Sequence, residues 1–268
     1  MQEHVLYYFS GTGNSLRTAL TIQKALGTCD VVSMGTTSDL LPQPAGAKSI
    51  GFVFPCYFGG VPHRVLEFVR GLKGLEFQGQ EAPYIYAVVT YGAMCGSVIG
   101  QFNRVLKDRG AVLNYAATLK SFSNYVVLYD MSNKVAEKTL QTKNDLQPIV
   151  SSILERKTIE IKKGFALALA YNQVASKDVA THDRHFVLRE SCNECGMCER
   201  VCPVHNIILK GGKPQWQGAC EQCLACLHWC PERAIDVGEK TRKRGRYTNP
   251  EITLKMFIEY LDDAGMRN

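Results

Sequence analysis

Two runs of cysteine carry the clearest chemistry in this chain. Cys192, Cys195, Cys198 and Cys202 are followed by Pro203, and Cys220, Cys223, Cys226 and Cys230 by Pro231. Both runs read C-x2-C-x2-C-x3-C-P, and each cysteine of the second lies 28 positions after its counterpart. Ile207 and Ile235 keep the same offset, so the segment is an internal duplication. Three thiolates spaced three residues apart can wrap one side of an iron–sulfur cubane from a single tight loop, and the fourth ligand must come from elsewhere. The proline after the fourth cysteine turns the chain away from any local helix. Structural zinc is the competing chemistry, but its sites use paired C-x2-C elements separated by a loop. Two [4Fe-4S] clusters are therefore expected. His205 and His228 fall in the same region and are expected to be surface or packing residues, because eight thiols already supply both ligand sets.

This region resembles the bacterial two-cluster ferredoxins. In such domains the fourth ligand of each cluster comes from the other repeat. The resemblance implies that Cys192, Cys195, Cys198 and Cys230 hold one cluster, and that Cys220, Cys223, Cys226 and Cys202 hold the other.

A second chemical signal opens the chain. The apolar run Val5–Phe9 leads into Ser10-Gly11-Thr12-Gly13-Asn14-Ser15 and then into a helical pattern. Small residues let backbone N–H groups close on an anion, and a helix N-terminus adds a favourable dipole. A phosphate is the natural guest. The loop has no lysine, which a Walker A loop requires, and Leu16 stands where the dinucleotide fingerprint needs its third glycine. The segment resembles the FMN phosphate loop of flavodoxins, whose strand order 2-1-3-4-5 puts the flavin at the switch between strands one and three. That resemblance implies flavin contacts in two further loops. One is Pro55-Cys56-Tyr57-Phe58-Gly59-Gly60, with aromatics for the ring face, and the other is Thr90-Tyr91-Gly92-Ala93-Met94-Cys95-Gly96, small enough for close backbone approach. The alternative is that these are turn glycines of an α/β domain without a cofactor.

These loops need a frame to hold them. Apolar runs at Val5–Phe9, Ile50–Phe54, Tyr84–Val89 and Val112–Thr118, with a weaker one at Val31-Val32, alternate with segments of helical period. Alternation of this kind predicts an α/β fold with a parallel, doubly wound, flavodoxin-like sheet, followed by a small α+β two-cluster ferredoxin-like domain. The expected organisation is an FMN-binding domain over 1–160, a helical linker over 161–183, the ferredoxin domain over 184–240, and a basic loop with a closing helix over 241–268. Within residues 132–180 Pro148 is expected to interrupt the helix, and Lys162-Lys163-Gly164 to form a joint. The final helix is expected over Pro250–Leu261, packed back onto the rest.

A flavodoxin-like domain followed by a two-cluster ferredoxin is similar to the EFR-type ferredoxin family of bacteria and archaea. Ser123-Asn124-Tyr125 resembles an Asn-Tyr element of that family, with Phe122 standing where proline is expected. The resemblance implies electron transfer without a defined substrate.

The formal charge of +6 points at first to nucleic acid, but two clusters at about −2 each and a flavin phosphate at about −2 bring the loaded chain close to neutrality. No nucleic-acid partner is expected. The opening residues lack a basic signal region and no stretch is apolar enough to span a membrane, so a soluble, cytoplasmic protein of anaerobic metabolism is expected. Its partner would be a redox protein or a small electron acceptor. Three activities remain in view: an electron-transfer relay, a flavin-dependent reductase of a small molecule, and a redox sensor with an empty flavodoxin fold. Cys29 is expected as a buried apolar group, and Cys56 and Cys95 lie in the flavin loops. The run Lys240-Thr241-Arg242-Lys243-Arg244-Gly245-Arg246 reads either as a docking patch for an acidic partner or as a solvated loop.

Overall fold

Five parallel strands form the central sheet of the computed structural model, which describes residues 3–35, 44, 46–75, 77, 82–162 and 166–262. They are β1 (His4–Tyr8), β2 (Cys29–Ser33), β3 (Ser49–Pro55), β4 (Tyr84–Tyr91) and β5 (Tyr115–Lys120). Their order is β2-β1-β3-β4-β5, so the fold is flavodoxin-like, with its switch point between β1 and β3. Helices α1 (Asn14–Leu26), α2 (His63–Gly71) and α3 (Val98–Asp108) make the crossovers.

Both faces of the sheet are covered, which explains why its strands are unbroken apolar runs. Tyr7, Phe9, Phe52 and Phe54 point to one side and pack with α2 and α3. Leu6, Tyr8, Val53 and Tyr86 point to the other, against α1 and α4 (Val135–Leu154). The last strand lies later than the pattern Val112–Thr118 suggests, because pairing aligns Tyr115–Lys120 with Tyr86–Tyr91 and leaves 112–114 as a loop. Asn114 closes that loop by accepting the Ile85 N–H on its side-chain oxygen at 2.8 Å.

Pro148 does not break its helix, contrary to the sequence-based expectation. It sits exposed inside the continuous α4, while Leu146, Ile149, Val150 and Ile153 bury the opposite side. Burial of that apolar stripe outweighs the one lost N–H bond. The proposed joint at Lys163-Gly164 lies outside the described residues. Helix α5 (Ala166–Ala175) and a 3₁₀ turn (Val179–His185) follow.

The cysteine-rich part repeats itself in three dimensions. Strand β6 (Phe186–Leu188) pairs with β9 (Ile235–Val237), and β7 (Ile207–Lys210) pairs with β8 (Lys213–Trp216), all antiparallel. Short helices α6 (Met197–Arg200) and α7 (Ala225–His228) are 28 residues apart. Left-handed backbone recurs at the same offset: Glu194 and Gln222, Gly196 and Leu224, His205 and Arg233. The duplication is thus one of backbone geometry, since only a shared loop shape places a bulky Leu224 at φ 60° where its counterpart is glycine. Asp183, just ahead of this part, accepts the Gly218 N–H at 2.9 Å and the Asn206 amide at 2.8 Å, so the linker end packs with the repeats.

The chain closes with α8 (Leu254–Asp262), which is shorter than the expected Pro250–Leu261 because residues 250–253 form a turn. Phe257, Ile258 and Leu261 join the core on the α1 side, and Phe257 stacks on Trp229 with centroids 4.8 Å apart. Among the described residues no helix is long and apolar enough to cross a membrane.

Candidate functional site

β1 delivers Ser10-Gly11-Thr12-Gly13 to the carboxyl end of the sheet, and Gly13 at φ 93° turns the chain into α1. No side chain caps α1, so the first N–H groups of this helix and its positive dipole end are available to an anion. Ser10 accepts the Gly13 N–H at 3.1 Å, and Ser15 shares a hydrogen bond of 2.8 Å with Thr90 at the end of β4. Three hydroxyls, Ser10, Thr12 and Ser15, are buried here with no cation beside them in the loop. Neutral donors of this kind suit a phosphate.

The next two loops complete a cleft. After β3, Tyr57 and Gly60 exchange backbone bonds of 3.0 and 2.9 Å around Phe58 (φ 51°) and Gly59 (φ 73°), a tight turn. Cys56 donates its N–H to Thr90 and its thiol to the Cys95 carbonyl, tying the loop to the one after β4. Burial pushes the Cys56 thiol up to about 12. Ser10, Gly11, Thr12, Asn14 and Ser15, Pro55–Gly59, and Thr90–Met94 all line this cleft, joined by Ser121–Tyr125 after β5.

Gly13 and Gly96 do not line it. A Cβ on Gly13 would meet Asn249 and Ile252 at 3.2 Å, so the glycine admits the C-terminal segment rather than keeping phosphate space clear. Gly11 is the closer constraint: a Cβ there would stand 2.6 Å from the Cys223 carbonyl and 3.2 Å from the Tyr57 hydroxyl.

The cysteines fall into two groups. Cys192, Cys195, Cys198 and Cys230 surround one small cavity together with Leu188 and Ile235. Cys202 stands with Cys220, Cys223 and Cys226, close enough for their charges to act on one another. Each group therefore draws three thiols from one repeat and one from the other. All eleven cysteines are free thiols, and among the described residues no three His, Cys, Asp or Glu side chains converge as ligands of a single ion would. Backbone N–H groups point at the sulfurs in matched positions: Asn206 to Cys202 at 3.2 Å, and Ala234 to Cys230 at 3.3 Å. Gln222 adds another to Cys220 at 3.2 Å. Such donors favour thiolates bound in a cluster. Burial pushes Cys198 up to about 11 and Cys220 to about 12, so iron has to displace protons on binding. An all-sulfur donor set with these N–H contacts fits a cubane.

The two sites meet. Gln222, Cys223 and Leu224 form one wall of the cleft built by the sheet loops. Trp229 donates its indole N–H to the Gly11 carbonyl at 3.0 Å, and Tyr125 donates to the Gln222 side chain at 2.6 Å. His228 accepts the Tyr247 N–H on Nδ1 at 3.1 Å, which leaves Nε2 to donate to the Asn124 carbonyl at 3.0 Å. Burial pushes this imidazole down to about 4, so the ring is neutral. Glu221 accepts the N–H groups of His63 and Arg64 at the start of α2, at 3.1 and 2.5 Å, while burial pushes its carboxyl up to about 7. His228 is thus the packing residue expected, and it joins the two halves.

Several residues of this junction carry no sequence signal. Asn249 donates to the Thr12 carbonyl and, like Tyr247, to the Asn14 side chain. Phe122 stacks on Tyr247 with centroids 4.3 Å apart, which gives that departure from the Asn-Tyr element a physical role. Asn172 of α5 donates to the Phe58 carbonyl at 3.1 Å. Two arginines of the basic run are engaged in structure, Arg246 pairing with the buried Asp236 as Arg189 does from outside the run, and Arg244 donating to the Val126 carbonyl at 2.6 Å, while Lys240, Arg242 and Lys243 are exposed.

Residues 176–241 match the family described as a 4Fe-4S dicluster domain, so the C-terminal part is a 4Fe-4S ferredoxin-type domain. An uncharacterized polyferredoxin-like protein of Methanocaldococcus jannaschii is 34% identical over 62 residues, which is 23% of this chain. The chain spans only 27% of the length of that curated relative. Among solved structures, the Megasphaera elsdenii flavodoxin in its two-electron reduced form is 21% identical, with 43% of this chain and 84% of that one covered at a TM-score of 0.34. The Streptococcus pneumonia TIGR4 flavodoxin is 19% identical, with 55% and 98% covered at a TM-score of 0.33.

Proposed function

We propose that this chain is a cytoplasmic electron-transfer flavo-iron-sulfur protein that holds two [4Fe-4S] clusters and FMN, and passes electrons between a redox partner or small acceptor and its own flavin. Clusters of this type move single electrons and a flavin takes one or two, so the pair supplies a relay or converter. The observation that carries the reading is the shared wall: Gln222-Cys223-Leu224 belongs at once to a cysteine group and to the cleft at the switch point. Cys195 of the other group is exposed although Cys198 is buried, whereas no thiol of the cleft-side group is exposed, so the first group lies nearer solvent and the second nearer the cleft. The buried hydroxyls and the uncapped α1 would hold the phosphate, while Tyr57, Phe58 and Tyr91 would flank the ring. Domain order and the Asn124 element, which donates to Thr12, support a place among EFR-type ferredoxins.

Anaerobic purification with iron, sulfide and flavin analysis tests the composition: about eight iron, eight sulfide and one FMN are expected. Rapid mixing with a one-electron donor should then reduce the flavin at a rate independent of protein concentration. A rate that falls in proportion on dilution would mean that the domains act as separate carriers.

A reductase reading has one observation in its favour. Met94 and Leu128, 55% and 71% exposed, stand at the cleft, whose lining includes no charged side chain. A small uncharged acceptor suits such a mouth. Saturable oxidation of the reduced protein by an uncharged aromatic acceptor, weakened in Leu128→Asp, is the outcome that would favour it.

A further inference from the structure

The pseudo-symmetry of the repeats makes one difference between the two cysteine groups easy to see. Ile207 pairs with Trp216 in β7–β8, and Ile235 pairs with Leu188 in β6–β9. Since Ile207 and Ile235 are 28 residues apart, as are Leu188 and Trp216, the two pairs are equivalents. Leu188 lines the cavity of Cys192, Cys195, Cys198 and Cys230 with an aliphatic side chain. Its equivalent in the other repeat carries an N–H donor.

That donor is left without a partner. Trp216 Nε1 is buried and makes no hydrogen bond among the described residues, sulfur acceptors included. The ring packs against the buried cluster that contains Cys202 and Cys226, and it stacks flat on Phe186, centroids 5.3 Å apart and 10° between planes. The stack fixes the direction of the N–H, and the Cys226 sulfur lies close enough to feel it without a formed hydrogen bond, so a cluster held by that cysteine would offer the missing acceptor. An indole nitrogen donates only, so it cannot turn to accept from a neighbour.

We propose that Trp216 is a positioning residue that donates a hydrogen bond to the sulfur of the cleft-facing cluster and raises its reduction potential relative to the solvent-facing one. The proposal rests on the two-cluster reading above. Reduction adds an electron to a centre that is already anionic, and a donor aimed at its sulfur stabilises the added charge. Burial of Cys202 and Cys226 acts in the opposite direction, because a buried anion is harder to charge further. The indole N–H offsets that penalty on the inner cluster alone, so an electron arriving at the exposed Cys195 side is drawn toward the cleft.

The test uses the full chain loaded anaerobically with its clusters. Iron and sulfide are counted first: fewer than about eight iron would fail the two-cluster reading itself, independently of Trp216. In fully loaded protein, Trp216→Phe keeps the stack but removes the donor. It should lower one of two potentials by about 59 mV, a tenfold loss in the one-electron equilibrium between clusters, and leave the other unchanged. Unchanged potentials at full iron content would overturn the proposal. Should the variant fail to load, wild-type protein labelled with 15N-indole tryptophan decides by pulsed electron paramagnetic resonance. Nitrogen coupling to the reduced inner cluster, persisting in Trp229→Phe, supports the assignment, and its absence overturns it.

Discussion

Cys56 lies beside the cleft and could be mistaken for a redox thiol. Burial, with the Cys95 thiol nearby, pushes it up to about 12 and holds it protonated. Below that value thiolate is scarce, and thiolate is the reactive form. In native protein at pH 8, alkylation of Cys56 should therefore be far slower than in unfolded protein, as mass spectrometry of the peptide would record. Gly11 has a steric role where the two halves meet. Gly11→Ala places a methyl group 2.6 Å from the Cys223 carbonyl, so the loop of Cys220–Cys226 must move. We expect weaker flavin binding and faster loss of iron in that variant, measured by fluorescence titration and chelator release. Normal values for both would mean that the two loops do not share a wall in solution.

Among the elements, the segment from β9 to α8 does more than close the chain. Asp236 is buried and is held by Arg246, Arg189 and the Thr241 hydroxyl, which secures the turn after β9. Without Arg246 the buried Asp236 keeps only Arg189 and the Thr241 hydroxyl, and Arg246→Met should cost about 3 kcal/mol at most in chemical denaturation. Phe257 is fully buried against Trp229, and Phe257→Ala should cost about 3–5 kcal/mol through lost transfer energy and the cavity left behind. A loss below 1 kcal/mol would show that α8 is detached in solution. Pro148→Ala, by contrast, restores an N–H on the exposed side of α4 and should leave stability equal or slightly higher.

For the whole molecule, the halves share core as well as a cleft. Val201, Ala225 and Trp229 are packed in one cluster with Leu6, Leu16 and Ile22. A chain ending at residue 183 would expose that surface and strip Trp229 and Asn249 from the phosphate loop. We expect it to unfold at lower denaturant than the full chain and to bind FMN weakly. Cooperative unfolding followed by sheet circular dichroism and by cluster absorbance should coincide in the full chain. Two separated transitions would mean that the halves are only tethered.

Much of this was readable from residue types alone. Local chemistry settles the cysteine duplication, the strand–loop–helix of Ser10–Ser15 and the parallel sheet, because ligand spacing, anion loops and apolar runs are properties of contiguous sequence. The grouping of Cys230 with the first repeat and Cys202 with the second was legible only through the resemblance to two-cluster ferredoxins. What the tertiary structure decided is how distant segments meet. Gly13 reads as anion space in the sequence but faces Asn249 and Ile252, more than two hundred positions away. The basic run reads as a surface patch until Arg246 is placed against the buried Asp236 and Arg244 against the Val126 carbonyl. Phe122 reads as a departure until Tyr247 is stacked on it. The physical reason is common to all three. A side chain's partner across the fold is chosen by packing of whole elements, here by α8 and the repeats closing over the sheet, and no local pattern records which surface that packing will bring near.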